Sequence, residues 1–257
     1  AVALKELLAA YPHVVFPELL AGSSMRVLSG LLFTPVSVEG IARRSLTPEI
    51  TVRRVLARLL ERGLVVRPKP GAYSIALPGL AEFVGAFCAF AVDAARAGVP
   101  GSLIVRGASG VLRTKSAGVH KPLVLTGVSV FGGYGIGLMQ TDFRDYYFNA
   151  FGKPRKPRIE EAVVHSLLRS TILPSGREVS YALLVLHKNR KRIDDERLLE
   201  CARDFGVESA ARQALDFVDC VLSGRPVPRP LVDVGSSVEG PLFPDEEEFK
   251  ELVMQYE

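Results

Sequence analysis

Apolar and polar positions recur along this chain with the period of a helix in some stretches and of a strand in others, and the changes of period mark out its elements. Near the start, LKELLAAYP over 4–12 and PELLA over 17–21 read as short helical pieces. Met25, Val27, Leu28, Leu31 and Leu32 follow at helical spacing behind Ser24, a residue suited to an N-cap. After the Thr34-Pro35 break, Ser37 is placed to cap a second helix, VEGIARR, with Val38, Ile41 and Ala42 facing inward. The third helix is the most strongly marked. Thr47 is its expected cap, Pro48 its first helical position, and Gly63 its stop after Arg62. Ile50, Val52, Val55, Leu56, Leu59 and Leu60 form its apolar set. LVVRPKPGAYSIAL then predicts two short strands around a Pro-Lys-Pro-Gly turn.

LPGLAEFVGAFCAFAVDAARAG predicts a long connecting helix, apolar over much of its circumference. Strand-like runs follow at 102–107, 110–115, 121–127 and 137–148, with a short helix around Val128–Tyr134. From Pro157 the pattern is helical through RIEEAVVHSLLRS, EVSYALLVLHKNR, DDERLLECARDFG and ESAARQALDFVDCVLSG. A proline- and glycine-rich tail leads to a last helix, DEEEFKELVMQYE. The class is therefore α+β, divided as 1–78, a connecting helix over 79–100, a mixed domain over 101–223, and a tail with its helix over 224–257.

Nearly half of the residues are apolar, which is the composition of a chain with packed cores. No apolar stretch is expected to reach the roughly 18–20 residues of a bilayer span, so no membrane partner is expected. AVALKELLAAYPHVV lacks the basic leader and small-residue cleavage site of an export signal. Cys88, Cys201 and Cys220 are odd in number and far apart, which predicts buried thiols in a reducing, cytoplasmic setting.

Charge changes the picture more. Residues 24–76 hold nine Lys or Arg against Glu39, Glu49 and Glu61, a net +6 in a chain whose total is +4. A basic module beside a slightly acidic remainder is the footprint of a phosphate-binding domain. Three helices followed by a hairpin resemble the winged helix-turn-helix family, and VEGIARRSLTPEITVRRVLARLLERGLV carries that resemblance. It implies that the third helix enters the major groove of double-stranded DNA while the hairpin touches the backbone. Carried onto this sequence, the contacts fall to Thr47, Thr51, Arg53, Arg54 and Arg58 on that helix, with Arg67 and Lys69 on the hairpin. Arg43 and Arg44 close the second helix within reach of phosphates. A solvated helix face pairing with Glu49 and Glu61 is the plainer reading of the same arginines.

The order of elements from about 100 to 223 resembles the AbiEi-type antitoxin and transcriptional-regulator family, in which a winged helix precedes a nucleotidyltransferase-like core. LVLTGVSVFGGYGI, TDFRDYYF, RIEEAVVHSLLRS and IDDERLLECARDFGVESAARQALDFVD carry it. A working nucleotidyltransferase needs a Gly-Ser turn for phosphates and paired carboxylates for magnesium. Gly127-Val128-Ser129 is the candidate turn, with Asp142 and Asp145 the candidate acids. Three residues apart in a strand, those acids point to opposite faces, and Arg144 occupies the place of the second acid. The core is therefore expected to be degenerate, without catalysis, cofactor or metal.

Other candidates reduce to structure. Gly133-Tyr-Gly135-Ile-Gly137 lacks the spacing of a phosphate loop and reads as a turn. His13, His120, His165 and His187 share no metal-ligand spacing, and His165 reads as a hydrogen-bonded core residue. KPRKPR over 153–158 and HKNRKR over 187–192 are basic runs that fit either an extended nucleic-acid surface or solvated loops. The sequence thus points to a DNA-binding transcriptional regulator of antitoxin-like type. Self-association and a protein partner, either a toxin or the transcription machinery, are compatible with it. The alternatives are a nucleotidyltransferase acting on nucleic acid and a winged-helix protein-interaction module.

Overall fold

A computed structural model describes residues 2–33, 35–96, 98–116, 123–137, 142–152, 154–172, 176–227 and 243–256. His120, Lys153 and the proline- and glycine-rich stretch over 228–242 lie outside them. The elements are mixed α and β. Helices α1 (Val2–Ala10), α2 (Phe16–Leu20), α3 (Ser24–Gly30), α4 (Val38–Ser45) and α5 (Glu49–Glu61) precede strands β1 (Val65–Lys69) and β2 (Ala72–Ile75). Helix α6 (Pro78–Arg96) leads to β3 (Ser102–Arg106), β4 (Ser109–Thr114), β5 (Val124–Leu125), a 3₁₀ helix over Gly127–Tyr134, and β6 (Arg144–Asn149). Helices α7 (Ile159–Ile172), α8 (Gly176–Asn189), α9 (Asp195–Phe205), α10 (Glu208–Ser223) and α11 (Glu246–Tyr256) complete the chain.

β1 and β2 pair antiparallel, with Val65 opposite Ile75, and the other strands make one sheet in the order β3-β4-β6-β5. By internal contacts the chain divides into two units. Unit 1 holds residues 1–99, 105–110 and 148–154; unit 2 holds 100–104, 111–147 and 155–257.

In unit 1, Ser37 caps α4 as expected, its hydroxyl accepting from the Gly40 N–H at 3.1 Å. Gly40 is needed there, because a side chain would meet Val36 Cγ2 at 2.4 Å. Val36 is in turn bridged to Tyr73 of the hairpin, so a single residue between α3 and α4 adds to the β1–β2 pair. The start of α5 differs from the expectation. The carbonyl of Pro48 accepts from Thr51 and Val52, so Pro48 itself is the cap residue, and Thr47 turns inward to donate to the Ser45 carbonyl at 3.1 Å. Ser24 is likewise no cap: it lies inside α3, fully buried. The end of α5 is as read. Gly63, at φ +67°, lets its own N–H and that of Leu64 return to the carbonyls of Leu60 and Leu59. Val52, Val55, Leu56 and Leu59 join Val27, Leu28, Ile41 and Leu64 in the core of this unit.

Helix α6 corrects one expectation. By length and composition it is apolar enough to cross a membrane. Its Leu80, Val84 and Cys88 nevertheless belong to the core of unit 1, and Val92 is buried as well. Burial pushes the Cys88 thiol up to about 12, so it is un-ionised and inert at neutral pH. Asn149, from the last segment of the unit, donates to the Arg44 carbonyl at 2.9 Å and to Ser109 Oγ at 3.0 Å.

Unit 2 is built on the helices. α7, α8, α9 and α10 pack together, and α11 returns Phe249 to the same core. α9 is capped by Asp194, which accepts from the Arg197 N–H, and closed by Gly206 at φ +75°. Much of HKNRKR is used internally here. Arg190 forms ion pairs with Asp195 and Asp219 at 2.6 Å, and Lys188 donates to the carbonyls of Gly135 and Tyr256.

Candidate nucleic-acid interface

Helix α5 lies against the core by one stripe, and helical geometry sets what faces away from it. Each residue turns the side chain by about 100°, so residues opposite Val52, Val55, Leu56 and Leu59 are Ile50, Arg54, Ala57 and Glu61. All four are exposed. Arg53 and Arg58 flank this ridge on its two sides. Ile50 therefore does not belong to the inward set in which its apolar character first placed it: it is 72% exposed. It stands one turn before Arg54, and its side chain is a surface group that the sequence reading did not count among the contacts. The signal was available, since Ile50 is two residues from Val52 and two helical residues lie some 200° apart.

The basic residues divide by what already holds them. Arg54, Arg62 and Lys69 are exposed, Arg54 on the outward ridge of α5 and Lys69 on the hairpin. Arg53 is exposed but paired one turn back with Glu49 at 3.1 Å. Arg58 donates to the buried Ser24 hydroxyl at 2.5 Å, which fixes its guanidinium beside α3. Arg67 lies over the Tyr73 ring at 5.0 Å and is thereby held against the hairpin. Arg43 and Arg44 are half-buried, and Arg44 donates to the Gly30 carbonyl at 3.2 Å. Thr51 is half-buried. Thr47, only 7% exposed and bonded to Ser45, is not part of the surface, so its assignment as a contact is withdrawn.

What remains is a helix ridge with Arg54 at its centre and a short Ala57 beside it. Arg53 and Arg58 lie on the same helix, Arg62 just past its end, and the hairpin carries Arg67 and Lys69. Small and basic residues together let a helix approach a polyanion closely while neutralising it.

The second candidate, in unit 2, comes out differently. Ser129 and Asp145 are brought together, as a nucleotidyltransferase-like reading requires: the Asp145 N–H donates to Ser129 Oγ at 2.8 Å. Gly127, at φ +53°, makes the close approach possible, since a side chain there would lie 3.1 Å from Asp145 Oδ2. The Asp145 carboxylate, however, is 1% exposed and held at both oxygens by Arg113 at 2.7 Å, while Arg113 also pairs with Glu178. Burial alone would lower the basicity of Arg113; its hydrogen bonds to Asp145 and Glu178 outweigh that and hold it above the ordinary arginine value. Asp142 does not share the strand with Asp145, because β6 begins at Arg144. It is exposed, as is Arg144, so the opposite-face explanation for the two acids is replaced by a simpler one. Below this cluster, Thr126 Oγ1 and His165 Nδ1 share a hydrogen bond of 2.7 Å, and His165 stacks on Tyr147. Burial lowers its pKa to about 3. Among the described residues, no group of three or more His, Cys, Asp or Glu is arranged to hold a metal.

The family described as HVO_2833_C, C-terminal, matches residues 120–257, more than half of the chain. The chain belongs to this family. No curated protein and no solved structure matches it. The HVO_2833_C match takes in Ser129, Asp145, His165 and Glu178, while Arg113 and the whole basic module precede it.

Proposed function

We propose that residues 24–76 form a winged helix-turn-helix that binds double-stranded DNA, and that the chain is a transcriptional regulator without catalytic activity of its own. The observation that carries this reading is the exposed side of α5, where Arg54 on the outward ridge stands between Arg53 and Arg58, beside a hairpin that carries two further cations. The bridge of Val36 to Tyr73 supports it as well, because it ties the hairpin to the helices and fixes where Arg67 and Lys69 stand. Arg54 reaches base edges, and Arg53, Arg58, Arg62, Arg67 and Lys69 neutralise phosphates, Arg53 after releasing Glu49.

Binding of a labelled duplex, followed by fluorescence anisotropy over a salt titration, tests the proposal. With about five phosphate contacts, log K is expected to fall against log salt with a slope of roughly −4 to −5. A flat response would remove the phosphate contacts and with them the reading.

The helix ridge makes a separate expectation. Arg54→Ala is expected to weaken binding by about tenfold or more if the side chain meets a guanine edge, with a stability change within about 0.5 kcal/mol because the side chain is exposed. Urea denaturation beside the anisotropy measurement separates the two effects. Unchanged affinity for every duplex tried would take Arg54 out of the interface.

A further inference from the structure

Every exposed residue of α5 except Ile50 is charged or an alanine. A single exposed apolar residue is ordinary on a protein surface. Ile50 is set apart by its position and its neighbours. A β-branched side chain in a helix loses rotamer freedom against the preceding turn, and at 72% exposure no burial offsets that cost. It sits in the first turn of α5, and the leading residues of a recognition helix are the ones that meet base edges. It stands four residues before Arg54 on the outward ridge, which makes the two side chains neighbours. Glu49, the acid of the same turn, points about 100° away and is paired with Arg53 at 3.1 Å. Glu61, the acid of the ridge itself, stands at the opposite end of the helix. The end of the ridge suited to a close approach to a polyanion is therefore the end that carries Ile50 and Arg54.

We propose that Ile50 reads thymine, its side chain packing on the C5-methyl group in the major groove while Arg54 takes the O6 and N7 acceptors of a nearby guanine. This rests on the reading of α5 as the helix that enters the groove. Of the groups that base pairs display there, the thymine methyl is apolar and the others are hydrogen-bond donors and acceptors. Ile50 has no side-chain group to donate or accept, so the methyl is what it can cover without leaving a polar edge unmade. An adenine or cytosine in that place would set an amino group against the isoleucine, desolvated and without a partner, which sharpens the preference. Four helical residues advance about 6 Å, close to two base-pair steps of about 3.4 Å. The ridge therefore favours duplexes in which a thymine and a guanine lie within about two base pairs of each other. Arg53 and Arg54, three and four residues after Ile50, favour a polyanion over an apolar protein surface, which would desolvate both guanidinium groups.

The probe is a duplex enriched by the full chain from a random pool, then synthesised once with thymidine and once with deoxyuridine throughout. The exchange removes every C5-methyl and keeps the pairing. Covering one methyl corresponds to about fourfold in affinity. The wild-type chain is expected to bind the deoxyuridine duplex about fourfold more weakly than the thymidine duplex. Ile50→Ala is expected to lose about fourfold on the thymidine duplex and to bind both duplexes alike, with an unchanged urea midpoint because the side chain is exposed. Restoring thymidine one position at a time is expected to recover wild-type affinity at a site within about two base pairs of a guanine. The salt slope is expected to be the same for both proteins, since Ile50 meets no phosphate. A steep salt dependence with equal wild-type affinity for the two duplexes overturns the assignment of Ile50 and leaves the DNA reading standing. So does an equal loss by Ile50→Ala on both duplexes, which would put the side chain against sugar instead of a methyl. A flat salt response removes the DNA reading and this inference together.

Discussion

Asp145→Ala is expected to lower the stability of unit 2 by about 3–5 kcal/mol, read as a reduced urea midpoint with an unchanged m-value. The size follows from what the substitution leaves behind. Asp145 is buried and accepts both hydrogen bonds of the Arg113 fork, and Arg113 is itself only 14% exposed. Truncating the acid strands a guanidinium away from water with Glu178 as its remaining partner. Forming the ion pair contributes far less than breaking it costs, because both charges were taken out of water to make it. Replacing the pair together, Arg113→Met with Asp145→Leu, is therefore expected to recover much of the loss. Asp145 also joins its strand to the 3₁₀ turn through backbone groups: its N–H meets Ser129 Oγ, and its carbonyl accepts from the Thr126 N–H at 2.9 Å. Those bonds survive side-chain truncation, so the fold is expected to persist at reduced stability. A loss below about 1 kcal/mol would mean that water reaches the pair and that the cluster is no structural centre.

Local chemistry was legible in the sequence, and long-range chemistry was not. The Ser37 cap and the Gly63 stop each depend on atoms within five residues, and both are where the pattern put them. Pro48 was one position off for an equally local reason, since a proline carbonyl accepts helix bonds as well as any other and the Thr47 hydroxyl found the Ser45 carbonyl instead. Ile50 faces outward because the turn of about 100° per residue, and not its apolar character, sets its direction. The partner of Asp145 lies 32 residues away in sequence and a second partner of Arg113 lies 65 away, which no periodicity encodes. The same holds for residues 105–110 and 148–154, which belong to unit 1 although unit 2 surrounds them in the chain. Arg58 shows the consequence for the interface. Its place on the flank of α5 was readable, but its bond to Ser24, 34 residues earlier, was not, and that bond decides how freely its guanidinium reaches a phosphate. Of the nine contacts first assigned, only Thr47 is removed by burial. The remainder keep positions on the exposed or half-buried surface of unit 1.

Stability is expected to fall as the pH is lowered from about 6.5 toward about 3, and His165 is the residue expected to carry a distinct part of that fall. The ring is 2% exposed, stacked on Tyr147 and set edge-on against Phe205. It shares a hydrogen bond with Thr126 Oγ1, a neutral group that does little to stabilise an imidazolium. Folding therefore favours the neutral ring. In the unfolded chain the imidazole takes up a proton near its ordinary value of 6.5, whereas the folded one resists until about 3, so the unfolded state binds more protons throughout that window. The contribution of the neutral ring is fully present above the unfolded value and is lost as the pH falls below it, at up to about 1.4 kcal/mol per pH unit. Asp and Glu side chains titrate in the lower half of the same window, so the informative quantity is a difference between two proteins. His165→Gln keeps a hydrogen-bonding group beside Thr126 and cannot be protonated. Urea denaturation of both proteins between pH 7 and pH 4.5 is expected to show a steeper loss for the wild type, with the two curves converging as acid removes what His165 contributes. Parallel curves would mean that the folded ring titrates as freely as the unfolded one, and that the pocket formed by Thr126, Tyr147 and Phe205 opens to water before the unit unfolds.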